Sequence, residues 1–460
     1  MDSPLMMDLI RPQYAPNAEV LVSGLVQGRL EARGTQSRKF RFRNKVAGDS
    51  RPVTAPTTDQ ERANFAALLG DLDVLSGSSH PVELVDAVVH AVTGVVSKRG
   101  SSLPASPMTE HLALSQDLSG VTGSNNPPNL GRALEAMFLM GQPLGAQGTS
   151  GGMADLWLAA ARLRAESEPL LGAIDKAFGT VHPGAPFVPR EGYRAATEDF
   201  WRGRFPESPF GWLHDTWTTL MDPRWSKRLP TRVWTDWSTA VLRVGLAFGY
   251  LAEMRWYELV GRCLLSREEV TVLPQLRGEV LLPWAPSRLP VKSRNVKVEI
   301  KQAVNKGTSM LQVLRDTTDG VLPDPLAELN RLRQEEGVRR AVQGALGGTN
   351  PPSFAKNTYE TIIYALQPRD GGTGKDYYSL LRGAGNRYSV VDPGTEWIAV
   401  VASLACDLDT RETNIGEVRT ALARLGIVPE LQELVRALEE AGMARGSADA
   451  DHGVRVRSAF

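Results

Sequence analysis

Few residues in this chain have the types and spacing that chemistry needs. Val298-Glu-Ile-Lys-Gln302 carries a Glu-x-Lys pair. In a metal-dependent nuclease such a pair would use Glu299 to hold the metal and Lys301 to assist hydrolysis. That centre needs a second acidic ligand, and the nearest upstream acid is Glu279, in a differently patterned passage. The segment instead runs on into Ala303 and Val304, so a basic surface at a helix start is expected, with the nuclease kept as the alternative. Gly371-Gly-Thr-Gly-Lys-Asp376 has the look of a phosphate loop. It lacks the parts: Arg369 stands where a Walker A loop has its first glycine, and Asp376 where Ser or Thr would hold magnesium. The six histidines are scattered, no Gly-x-Ser-x-Gly elbow occurs, and the two cysteines, Cys263 and Cys406, lie in apolar helical patterns. The expectation is two buried thiols, no cofactor and, on balance, no enzyme.

Cations form two candidate surfaces. Glu19 to Arg33 and Arg38 to Val46, joined by Gly34-Thr-Gln-Ser37, read as a β-hairpin. Lys39, Arg41, Arg43 and Lys45 would line one face of its second arm, opposite Phe40 and Phe42. Eight basic residues against two acidic ones between Arg29 and Arg51 make this the best nucleic-acid patch in the sequence. The alternative is an edge strand guarded by charge.

The second surface lies in residues 387–460, which read as a winged helix. A strand at Tyr388–Val391 precedes helices near Trp397–Cys406 and Ile415–Leu425. A third helix runs from Pro429 to Gly442 with Leu431, Leu434, Val435 and Leu438 at three-and-four spacing. Met443–Arg445 and Val454–Arg457 would form the wing. Arg436 on the third helix and Arg445, Arg455 and Arg457 on the wing are the candidate nucleic-acid contacts. The module as a whole holds eight Lys plus Arg against twelve Asp plus Glu. Phosphate neutralisation supplies most sequence-independent affinity for DNA, so the acidic balance favours docking to protein over docking to a duplex.

These surfaces need a body to carry them. The chain has 460 residues, 42% hydrophobic and 23% charged, with no net charge. That is ordinary globular composition, long enough for roughly two to four domains. The expected fold is mainly α: a multi-helical body, a small N-terminal β element and a C-terminal winged helix. Breakers divide it into an N-terminal β-hairpin element (1–57), a helical domain (58–190), a Trp-rich helical domain (191–346), a linker region (347–386) and the winged helix (387–460). Six of the ten tryptophans fall between Trp201 and Trp237. Core packing is the expected role, with a base-stacking groove as the alternative. Helices are expected through Val241 and Leu251 to Leu265, and as one piece from Pro325 to Leu346. The weakly charged run Trp237 to Ala252 is too short for a bilayer and is interrupted by Arg243. Gly245 and Gly249 within it should admit a neighbouring helix closely. The start of the sequence lacks a basic leader with an apolar core, so a cytoplasmic location without membrane contact is expected.

Leu229-Pro-Thr-Arg-Val-Trp-Thr-Asp-Trp237, leading into Tyr250-Leu-Ala-Glu253, together with Gly385-Asn-Arg-Tyr388 and the helices after it, resembles winged-helix-containing proteins of bacterial anti-phage defence islands. The resemblance spans about a third of the chain. It implies a subunit that works beside DNA-translocating ATPases or nucleases, and it carries over no site residues.

Overall fold

In the computed structural model the described residues are 4–7, 9, 20–29, 58–71, 81–92, 106–115, 128–143, 152–168, 171–172, 198–284, 295–317, 324–368, 376–384, 388–444 and 454–460. They are mainly helical. The helices before the centre are α1 (Val20–Arg29), α2 (Asp59–Asp71), α3 (Pro81–Val92), α4 (Glu110–Ser115), α5 (Pro128–Met140), α6 (Met153–Ser167), α7 (Glu198–Trp201), α8 (Pro209–Met221) and α9 (Pro223–Ser226).

The centre is α10, Thr231–Leu265, a helix of 35 residues that spans about 52 Å at 1.5 Å per residue. It is buried on nearly every side from Trp234 to Leu264. A helix that is apolar all round must be surrounded. Accordingly α1, α5, α8, α11 (Val296–Asp316), α12 (Pro325–Arg333), α13 (Glu336–Gly347) and α14 (Ala355–Leu366) all pack on it.

Close crossings decide where glycine is required. A Cβ on Gly245 would lie 2.4 Å from Leu213, and one on Gly249 2.3 Å from Met137, which is the close helix approach that the spacing implied. Gly307 of α11 crosses α10 at Met254, where a Cβ would come within 2.6 Å of Cα.

Three expectations are corrected. The first arm of the N-terminal hairpin is not a strand: Val20–Arg29 is α1. Leu21 with Leu25, and Val22 with Val26, are i,i+4 pairs, all fully buried, and that period suits a helix laid on α5. The second arm lies outside the described residues, so no N-terminal β element is seen among the described ones. The single helix from Pro325 to Leu346 is two, because Gln334 and Glu335 leave helical pairing between α12 and α13. Finally, the strand Arg455–Arg457 (β4) takes its main partner from Glu412–Asn414 (β3), which the sequence pattern did not reveal. The expected partner segment contributes only the bridge Ala444 to Val456 among the described residues.

The remaining elements are β1 (Leu381–Ala384), antiparallel to β2 (Tyr388–Val391), then α15 (Thr395–Leu404), α16 (Ile415–Arg424) and α17 (Leu431–Glu440). One continuous hydrophobic core runs from Leu5 to Val456.

The tryptophans pack that core. Trp201, Trp212, Trp217, Trp225, Trp234, Trp237 and Trp256 are each no more than 2% exposed, so none of them offers a face to a base. Trp201 and Trp256 donate through their indole N–H groups to the carbonyls of Met6 and Leu5. Glu253, also fully buried, accepts from the Leu9 amide at 3.1 Å and the Tyr257 hydroxyl at 3.0 Å. The residues around Trp237 and Glu253 thus serve the core.

Candidate functional site

The C-terminal module is built on three short amphipathic helices and the β3–β4 pair. α17 buries Leu434 and Leu438 and turns Gln432, Arg436, Glu439 and Glu440 outward. β4 alternates: Val456 is inside, Arg455 and Arg457 outside. These are the directions that helical and strand periods impose.

The three described cations of the expected nucleic-acid set are all committed within the module. Arg436 meets Glu433 at 3.0 Å and Glu440 at 3.8 Å. Arg457 meets Glu412 at 2.8 Å, and Arg455 reaches the same carboxylate at 3.9 Å. Glu412 pairs directly across the strands with Arg457, so that ion pair follows from register, and Arg455 shares its single charge. Arg445 and the ladder Lys39, Arg41, Arg43 and Lys45 lie outside the described residues.

On its inner side the module is fastened to the body by ions. Arg424, at the end of α16, donates to the carbonyl of Pro206 at 2.6 Å and to Asp215 of α8 at 2.8 Å. The other oxygen of Asp215 meets His214 Nδ1 at 2.9 Å. Burial pushes the Asp215 carboxyl up, but its bonds to His214 and Arg424 outweigh that and hold it below the ordinary carboxylate range. Arg224 bridges from α9 to Asp409 at 3.1 Å. Phe460 sets its ring against Trp237, centroids 5.7 Å apart.

A second buried cluster joins α10 to the segment that precedes β1. Arg243 pairs with Asp376 at 2.8 Å, and the two side chains are 5% and 10% exposed. Arg243 also donates to the carbonyls of Ala365 and Gln367, at the end of α14. Asp376 is therefore taken up in a structural ion pair; residues 371–375 lie outside the described set. Nearby, burial raises Asp236 above the usual carboxylate range against the opposing pull of Arg232. Burial also raises the Tyr378 phenol.

Glu299 and Lys301 occupy the first turns of α11, not a strand end. Glu299 is half-buried and Lys301 exposed. Two residues apart on a helix, their side chains diverge by about 200°. Among the described residues no group of three His, Cys, Asp or Glu side chains is placed to hold a metal ion. Both cysteines are free thiols. Burial, helped by Glu412 and Asp407, pushes the Cys406 thiol up to about 11, which keeps it protonated and unreactive at neutral pH. No helix among the described residues is long and apolar enough to cross a membrane.

No protein-family model matches the chain, and no curated protein matches it. What the site can do therefore rests on its own geometry. The buried face of α17 was legible from helical spacing. The Arg424–Asp215 fastening and the Glu412 pairing were not, because each joins residues remote in sequence.

Proposed function

We propose that the chain is a non-enzymatic, DNA-associated or scaffolding subunit of a bacterial anti-phage defence complex that recruits or regulates a partner ATPase or nuclease. In this reading residues 387–460 form a winged helix whose outward side docks protein. The order α15, β3, α16, α17, β4, with β3 antiparallel to β4, supports the winged-helix reading. The observation that carries the docking reading is that Arg436 is ion-paired with Glu433 and Glu440, and that Arg457 and, more loosely, Arg455 share Glu412. Cations already paired inside the module release few DNA counterions, and the remaining outward charge on α17 is negative.

The test is to express the tagged chain with the genes that flank it and weigh what co-purifies. A stable complex of fixed stoichiometry is expected, and Glu299→Ala with Lys301→Ala should leave its activity intact. A chain that stays alone would overturn the proposal, and a metal-dependent cleavage abolished by that folded double variant would reverse it in favour of a nuclease.

A further inference from the structure

On several helices of the fold the exposed cations are matched by carboxylates: Arg162 by Glu110, Arg232 by Asp236 and Arg262 by Glu258. α11 departs from that pattern. Lys301 is exposed, Lys297 and Lys306 are half-buried, and none of the three has an ion pair among the described residues. The basic helix start that the sequence implied is present, and the fold leaves it unneutralised.

Lys297 and Lys301 stand one turn apart on one side of α11, about 6 Å along its axis. Lys306 lays its stem beside Gly348, where a Cβ would come within 3.2 Å of its Cγ. Glu299 is the only acid between Val296 and Lys306. Two positions from both Lys297 and Lys301, it leaves the helix on the side opposite to them, and Lys306 is about two turns farther on. Asp316, the next acid of the helix, is about 15 Å beyond Lys306. Acids on the elements packed against α11 have cations of their own. Glu336 of α13 meets Arg340, Glu360 of α14 meets Lys356 at 3.9 Å, and Asp392 beside β2 meets Arg382 at 3.0 Å. The surplus of positive charge therefore belongs to α11.

We infer that the first three turns of α11 contact the phosphate backbone of duplex DNA without reading its sequence. A protein partner would need an apolar centre inside a polar rim, and on this face only Val298, 48% exposed, is both apolar and exposed. Phosphates require cations and neutral donors alone. The lysines supply the cations, and the exposed amide of Gln302 lies between them. The inference rests on the DNA-associated half of the proposed function and gives it a surface on the helical body.

A short fluorescein-labelled DNA duplex is the probe, and its anisotropy with the full chain is followed across a salt series. Lys297→Gln with Lys301→Gln and Lys306→Gln should weaken binding and flatten the slope of log affinity on log salt by about 0.9 for each lysine lost. Lys301→Gln alone, at the exposed position, should flatten it by about 0.9, and it decides the matter if the triple variant melts early. Arg267→Gln with Arg277→Gln and Arg419→Gln removes the same charge from exposed arginines that also lack an ion pair among the described residues. That variant should leave the slope unchanged. Two duplexes of unrelated sequence should bind alike. Equal flattening by the arginine variant, a preference between the duplexes, or tighter binding of polyglutamate than of DNA at equal charge would each overturn the inference. If the native chain binds the duplex and the lysine variants keep its slope, the surface is wrong while the DNA-associated reading stands; if the native chain binds no duplex, that reading has failed and the inference with it.

Discussion

Two aspartates show how the same group is used in opposite senses. Asp215 is held ionised by His214 and Arg424, below the ordinary value of 3.8. Its contribution to stability is complete above that value and is lost as pH falls through the depressed one. Asp236 is shifted upward from 3.8 by burial, so its charge costs stability at neutral pH and the cost disappears as it is protonated in acid. Asp215→Asn should therefore lower the melting temperature at neutral pH, and Asp236→Asn should raise it. The Asp236 difference should shrink as pH falls through its raised value toward the ordinary one, and the Asp215 difference only as pH falls below the ordinary one. A melting series across pH checks the pair; destabilisation by Asp236→Asn at neutral pH would show that Arg232 outweighs burial there.

Among the elements, the helix crossings are more demanding than the helices themselves. Gly307 meets the backbone of Met254, so a methyl group there must push α10 and α11 apart. Gly344 of α13 is exposed and has no atom within 4 Å of where a Cβ would stand. Gly307→Ala should cost about 1–3 kcal/mol through overpacking, whereas Gly344→Ala should gain up to about 1 kcal/mol from helix propensity. Urea titration of the two variants measures both. Equal effects would mean that the crossing relaxes freely. The apolar period of α17 and the cap-and-proline start of α8, where Ser208 accepts from the Phe210 amide, are local properties, and they can be read without the fold.

For the molecule as a whole, the distribution of paired and unpaired charge decides where a polyanion would bind. Replacing Arg436, Arg455 and Arg457 together by Gln should leave the salt dependence of any DNA binding unchanged, because these cations already serve carboxylates of the same module. Replacing Lys39, Arg41, Arg43 and Lys45 by Gln should flatten it, by about 0.9 in slope for each phosphate left without its cation. Salt-titrated anisotropy on a duplex separates the two; a collapse confined to the C-terminal variant would show that the ion pairs open on DNA and that α17 enters a groove.

By itself the sequence determined the mainly helical class, the course of the central helix, the fate of the tryptophans as core and the need for close packing at Gly245 and Gly249. Each follows from composition or from a period within one element, where burial of an apolar face is decided locally. It misread Val20–Arg29, because a few apolar residues in a short stretch satisfy strand and helix patterns alike until α5 offers a surface at i,i+4 spacing. It could not see β3 against β4, Arg424 against Asp215 or Arg243 against Asp376. Those partners are 45, 209 and 133 residues apart, and a long-range ion pair leaves no periodic trace. The tertiary structure alone decided which of the described cations are ion-paired with carboxylates of the same module, and the functional reading turns on that pairing.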